Sequence, residues 1–357
     1  MSDKNVYILG AGFSRQLGLP LQDDFLLTAK TVYFKNPSKF EHFKRVFQYS
    51  DDLSKMRNYL SFPLLNLENL FNLLEMDIFY SNSDKHMSLK KDFINLIKDV
   101  FIELTPNPFG HLHIGGVSAY DSVLVDPKSQ YQDYIKFLSM FISPGIEEVR
   151  DDTLISFNYD LALEAAISAY NYRALREAWP IIRLNTSFGK GNIIFDHIYE
   201  YFIHGQEKLL RIPDDSETSN SLKLIKLHGS INWKTKEGEV FIVPPTWNKA
   251  DEAIRKLWEI AYKELSDAER IIIIGYSFPE TDIYVKSLLA LAINNNQNLQ
   301  NIFFINPDEQ TVRDRCLSFI DSHFMRHCEY KPVGFSEFIN QDEIFIKEKL
   351  NRVMNLP

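Results

Sequence analysis

Two hydrophobic rhythms run along this chain. Short, nearly unbroken apolar runs occur at Val6–Leu9, Thr153–Phe157, Lys223–Leu227, Arg270–Ile274 and Asn301–Ile305. Each is a strand by length and composition. Arg270–Ile274 is too apolar to be half exposed, so it reads as a buried parallel strand. Between the later runs lie helical patterns at Leu161–Tyr170, from about Lys249 to Leu265, and from about Asp282 to Asn294. Strands alternating with helices predict an α/β fold, a doubly wound parallel (Rossmann-like) sheet. Val240–Val243 reads as an edge-type strand stopped by Pro244 and Pro245.

The second rhythm has the 3.6-residue period of helices. It runs through Leu67, Leu70, Phe71, Leu74 and Ile78. It recurs through Leu89, Phe93, Leu96, Ile97, Val100, Phe101 and Leu104, and again through Tyr131, Tyr134, Ile135, Leu138 and Phe141. Residues 36–148 are therefore expected to be a large, mainly helical insertion. Residues 1–35 and 149–335 then form the α/β domain, and 336–357 a closing helical segment. The aromatic stripes read as core or oligomer contacts rather than as a cofactor box. Residues 171–220 carry no clear period, and 214–221 are polar.

Composition narrows the function classes. The chain has 357 residues, 45% hydrophobic and 24% charged, with a net charge of −9. An acidic balance argues against a mainly electrostatic nucleic-acid binder. The opening residues lack a signal-peptide pattern, and no run approaches the ~20 apolar residues of a membrane span. A cytoplasmic protein is expected. The two cysteines, Cys316 and Cys328, cannot build a four-thiolate zinc site and read as reduced thiols. His111 and His113 share a Gly/Pro-bearing loop, a weak metal signal, and no metal is expected.

The chemistry-bearing residues gather where strands end. After Val6–Leu9 come Gly10, Ala11, Gly12 and Ser14, a strand–turn–helix layout suited to an anionic ligand. A dinucleotide fingerprint would place a third glycine where Arg15 stands. Asn158 and Asp160 follow the second run, His228 and Gly229 the third, Gly275 and Ser277 the fourth, and Asn306 the fifth. Ligands of open α/β sheets bind outside these carboxyl ends. Taken singly, Asn158 reads equally as a helix N-cap and His228 as a satisfied strand-end histidine.

In this order the motifs resemble those of sirtuins: Gly-Ala-Gly-x-Ser, then Gly18-x-Pro20, Asn158-x-Asp160, His228-Gly229, Gly275-x-Ser277 and Asn306. The resemblance spans residues 5–25 and roughly 152–310 and leaves out the helical insertion. It implies that Asn158 and Asp160 position the nicotinamide ribose and carboxamide, and that His228 is the catalytic base. It assigns Gly10, Ala11, Gly12, Ser14, Gly275, Ser277 and Asn306 to NAD+ binding. Asp24 and Phe25 stand near the place of an Asp-Phe-Arg segment whose arginine is absent here. Without the deacetylase zinc ribbon, the pattern is similar to the sirtuin-like NAD hydrolases of bacterial anti-phage defence. Phe157–Asp160 and Leu227–Ser230 carry that likeness. It implies an NADase that converts NAD+ to nicotinamide and ADP-ribose and depletes cellular NAD+. It also implies a trigger supplied in trans, for example by a HerA-type ATPase. Apolar stripes in the insertion add the expectation of a homo-oligomer. Two other readings stay open: an ADP-ribosyltransferase or deacylase, and a non-catalytic module that binds NAD or ADP-ribose.

Overall fold

The computed structural model describes residues 4–55, 66–106, 129–143, 149–177, 182, 184–185, 194–195, 222–235, 238–243, 252–280, 282–321 and 324–352. His111, His113, Pro244, Pro245 and the polar segment 214–221 lie outside the described residues.

The strands are β1 (Asn5–Leu9), β2 (Thr153–Ser156), β3 (Leu184–Asn185), β4 (Ile194–Phe195) and β5 (Leu222–Lys226). They continue with β6 (Gly229–Lys234), β7 (Val240–Ile242), β8 (Arg270–Ile274), β9 (Asn301–Ile305) and β10 (Cys328–Lys331). Seven of them form one sheet in the order β10-β9-β8-β1-β2-β5-β3, with every neighbour pair parallel. This is the expected doubly wound α/β sheet, with two more edge strands, β10 and β3, than the apolar runs disclosed. Cys328–Lys331 is only partly buried, so its composition carries little strand signal. Val240–Ile242 does not join that sheet. It pairs antiparallel with β6 in a separate three-stranded sheet, β4-β6-β7.

The parallel sheet is buried on both faces because its strands send alternate side chains to two cores. Tyr7, Leu9, Leu154, Leu224, Ile272, Ile274, Phe303 and Ile305 enter one core. Val6, Ile8, Ile155, Ile225, Ile271, Ile273, Ile302 and Phe304 enter the other. The second core is closed by α8 (Glu252–Asp267), α9 (Ile283–Asn295) and α10 (Glu309–Cys316).

Between β1 and β2 the chain adds a large helical region on the first core's side. It comprises α1 (Ala11–Ser14), α2 (Phe25–Lys35), α3 (Phe43–Lys55), α4 (Leu67–Ser81), α5 (Asp84–Leu104) and α6 (Gln132–Ser139). Leu70, Phe71, Leu74, Phe93, Leu96, Val100, Tyr134 and Leu138 are all buried in that core, so most of the apolar stripes pack within the chain. Helix α7 (Ala162–Glu177) follows β2. The expected single closing helix is two, α11 (Phe335–Gln341) and α12 (Glu343–Glu348). Asp342 divides them: its N–H closes on the Phe338 carbonyl, and its own carbonyl accepts from Ile346.

Candidate functional site

The carboxyl ends of the five central strands are held in a row by hydrogen bonds that extend the sheet beyond the strands. Phe157 N–H donates to Leu9 O, Leu227 N–H to Ser156 O, Gly275 N–H to Ile305 O and Asn306 N–H to Lys331 O. The strand order reverses at β1, which pairs with β2 on one side and β8 on the other. A cleft of about 930 Å³ opens above this switch point. Ala11, Gly12, Phe25, Asn158, Asp160, His228, Gly275, Ser277 and Asn306 all line it.

The Gly-rich turn is built for contact between loops. A Cβ on Gly12 would stand 2.7 Å from Gly275 Cα, and one on Gly275 would stand 2.4 Å from Phe13 N. Gly275 also has φ of +65°, which favours glycine. The Gly10 amide donates to Ile274 O at 3.0 Å and the Gly12 amide to Gly275 O at 2.8 Å. Both groups expected to face a phosphate are bonded to the β8 turn. The expected helix after the turn is a single α-turn followed by a 3₁₀ turn at Arg15–Leu17, ended by Gly18 in the left-handed region. Below it, Phe13 packs on Tyr134 and Phe335 with ring centroids 5.0 and 4.7 Å apart. Tyr134 Oη donates to Phe13 O at 2.6 Å. The helical region thus holds the floor of the cleft.

Asn158 is fixed from behind. Its Nδ2 donates to Gly10 O at 2.9 Å and to Ser14 Oγ at 3.1 Å. Ser14 Oγ donates in turn to Asp160 Oδ1 at 3.1 Å, which also accepts from Ala162 N–H at 2.9 Å. With both amide hydrogens engaged, Oδ1 is the Asn158 atom that can meet a ligand, as an acceptor. Ser14 is 1% exposed and lies beneath the cleft wall, between Asn158 and Asp160. The capping function at α7 falls to Asp160 rather than Asn158. Burial raises the Asp160 carboxyl, against the charge of Lys226 and the hydrogen bonds from Ala162 and Ser14. Lys226 is itself buried and donates to Asp160 O, Glu164 Oε1 and Ser230 Oγ.

His228 ends the turn after β5, 2% exposed. Phe157, Tyr159 and Trp258 surround its ring, with centroids 5.4, 6.2 and 6.3 Å away. Its Nε2 lies 3.8 Å from Asp282 Oδ2. Asn306 Nδ2 donates to Tyr276 O and its Oδ1 accepts from Asp308 N–H. Ser277 O accepts from Arg315 at 2.8 Å. Asp24 is turned to Arg15 at 2.6 Å, and Gly10 lies behind the β8 turn. Gly10, Ser14 and Asp24 are thus placed beside the cleft rather than on its lining.

Sequence reasoning missed several charged lining groups, among them Arg15, Glu68, Asp282 and Arg315. Asp282 stands just before an apolar helix and reads as a cap. Glu68 sits in the apolar stripe of α4, bonded to Gln22, and its 4% exposure has no signal in sequence. Among the described residues no group of three or more His, Cys, Asp or Glu could hold a metal ion. Cys316 and Cys328 are free thiols, both pushed up to about 12 by burial.

Residues 152–327 match the family model described as the SIR2-like domain. The chain carries a SIR2-like domain. The matched stretch runs from the residue before β2 to the residue before β10, leaving out the Gly-rich turn and α1–α6. Among solved structures the chain is similar to a Sir2 homolog–NAD complex at 14% identity and a TM-score of 0.40, covering 98% of this chain and 91% of that one. It is similar to a Sir2–p53 peptide–NAD+ complex at 12% identity and TM-score 0.40, covering 98% and 93%. For Sir2Tm bound to a propionylated peptide the values are 12% and 0.39, covering 97% and 92%. The strand order, not these distant likenesses, defines the fold. No curated protein matches the chain. Among the described residues no helix is long and apolar enough to cross a membrane.

Proposed function

We propose that this sirtuin-like chain is an NAD+ hydrolase that releases nicotinamide and ADP-ribose. One observation carries the reading: Asn158 and His228, from adjacent strand ends, open onto the same cleft at the sheet's switch point. Arg15 and Arg315 are the arginines among the described lining residues, and each guanidinium has donors beyond its bond to Asp24 or Ser277 O for a diphosphate.

The chemistry asks little of the protein. The bond from C1′ of the ribose to the pyridinium nitrogen breaks, and its electron pair neutralises the leaving nicotinamide. Water oxygen bonds to C1′ and one proton is released. The site must hold the ribose, stabilise positive charge at C1′ and orient the water. Asn158 Oδ1 accepts a hydrogen bond from water or a ribose hydroxyl, and His228 takes the proton near neutral pH. The buried Asp282 carboxylate, 3.8 Å from His228 Nε2, favours a cationic transition state.

On the resemblance of its motifs, the proposal extends to NAD+ depletion by a cytoplasmic anti-phage effector. The test incubates the purified chain with NAD+, with and without the products of neighbouring genes, and measures nicotinamide release. His228→Ala should lower the rate by 10²- to 10⁴-fold with the fold intact. Near-normal turnover in a folded His228→Ala protein would remove the base. Self-association through the helical region is part of the proposal. Phe34, Phe79 and Tyr80 leave about three quarters of their surface in solvent there, at 75%, 75% and 76%. Sizing with light scattering should give more than one chain per particle; a monodisperse monomer would remove that part alone.

A further inference from the structure

Asp282 occupies the N-cap position of α9, yet its side chain accepts no capping hydrogen bond from that helix. The carboxylate is turned inward instead, and the residue is 1% exposed. Tyr276 Oη donates to its Oδ2 at 2.6 Å, and the same oxygen lies 3.8 Å from His228 Nε2. An aspartate that forgoes its helix cap for a buried tyrosine and histidine is placed for another purpose. Burial, then the Asp282 charge and hydrogen bond, hold the Tyr276 phenol far above its ordinary range. It therefore remains a donor to the carboxylate across the physiological range.

We propose that Asp282 is the positioning residue for His228. This rests on the reading of the site as an NAD+ hydrolase. The carboxylate holds the ring with Nε2–H toward Oδ2, which makes Nδ1 the nitrogen that takes the proton. As His228 gains that proton from water or a ribose hydroxyl, the Asp282 carboxylate stabilises the imidazolium. Three aromatic rings around the imidazole would otherwise disfavour its charged form by desolvation. Such contacts commonly tighten when substrate binds. The groups around the ring that bear on its titration come from several elements. They are Asp282 before α9, Tyr276 after β8, Tyr159 after β2, and Glu68 of α4, whose charge acts on both tyrosines. Trp258 of α8 adds no charge.

The experiment uses the full chain and NAD+. Asp282→Asn should lower kcat by about 10²-fold and leave KM within about threefold, since losing the carboxylate that orients a catalytic histidine costs up to about 10⁴-fold elsewhere. Without the negative charge, imidazolium forms less readily, so the acid limb of the kcat–pH profile should move to lower pH. Asp282→Glu should restore part of the rate. Nitrogen NMR of His228 in the unmutated protein should show the Nε2–H tautomer, whether or not the variants fold. An Nδ1–H tautomer overturns the proposal. So does an Asp282→Asn protein with normal kcat, or with lowered kcat and an unmoved acid limb. If the unmutated chain releases no nicotinamide under any condition, the reading of the site falls instead, and the tautomer still decides the pair.

Discussion

At the scale of single residues, the site is a set of polar atoms whose hydrogen bonds are mostly committed in advance. Asn158 illustrates the consequence. Its amide hydrogens are held by Gly10 O and Ser14 Oγ, so it presents an acceptor in a fixed orientation. Orientation of this kind lowers a barrier more than it strengthens binding. Asn158→Ala is expected to lower kcat about 10²-fold while KM changes little, read from steady-state nicotinamide release. A rise in KM alone would make Asn158 a binding residue. Asp160 acts at one remove: through Ser14 it fixes which way the Asn158 amide points.

At the scale of elements, the sheet separates chemistry from stability. The cleft lies at the carboxyl ends of the strands, and a separate set of buried ionic contacts lies at their amino ends. Glu264 of α8 accepts from Thr153 Oγ1 at 2.7 Å and Lys223 Nζ at 2.5 Å, and pairs with Lys4 at 2.8 Å. Those contacts tie α8 to β2, to β5 and to the residue ahead of β1. Burial alone would raise the Glu264 carboxyl, but the hydrogen bonds from Lys223, Lys4 and Thr153 outweigh it and lower it from 4.5. A folded value below the unfolded one adds stability above about pH 4.5, lost as pH falls through the folded value. Glu264→Gln should therefore be less stable at pH 7 by about 1–3 kcal/mol. The gap to the unmutated protein should narrow below pH 4.5. Urea midpoints across that range check this; a gap that does not vary with pH would assign the loss to packing.

At the scale of the whole molecule, the first and last described segments meet at the amino ends of the central strands. Arg352 and Asp152 form a two-point ion pair at 2.7 and 3.1 Å, with both side chains 0% exposed. Asp152 also accepts from Asn5 N–H, and Asn5 Nδ2 donates to Leu350 O. The last described residues are thereby fastened to the starts of β1 and β2. Removing one partner strands a buried charge, so Arg352→Ala should cost about 3–5 kcal/mol in chemical denaturation. Activity per folded molecule should persist, because the pair lies at the opposite edge from the cleft. Full stability would show that the C-terminal clamp is dispensable.

The sequence by itself determined the α/β class, the five central strands and their polar ends. Unbroken apolar runs have few folds available besides a sheet covered on both faces, and a strand end is a local feature. It also marked Asn158, His228, Gly275, Ser277 and Asn306 as neighbours, through the order of their motifs. Tertiary structure alone decided what those residues do to one another. The glycines at 12 and 275 serve two turns that touch, a contact between positions more than 250 residues apart. Asp282 reads as a helix cap until β5 and β8 bring His228 to it. Glu68 is hidden in an apolar stripe until α4 folds over the cleft. Val240–Ile242 has the composition of a sheet strand, yet antiparallel pairing with β6 takes it out of the main sheet. Local pattern sets what an element is; which partner it meets depends on contacts that no local pattern contains.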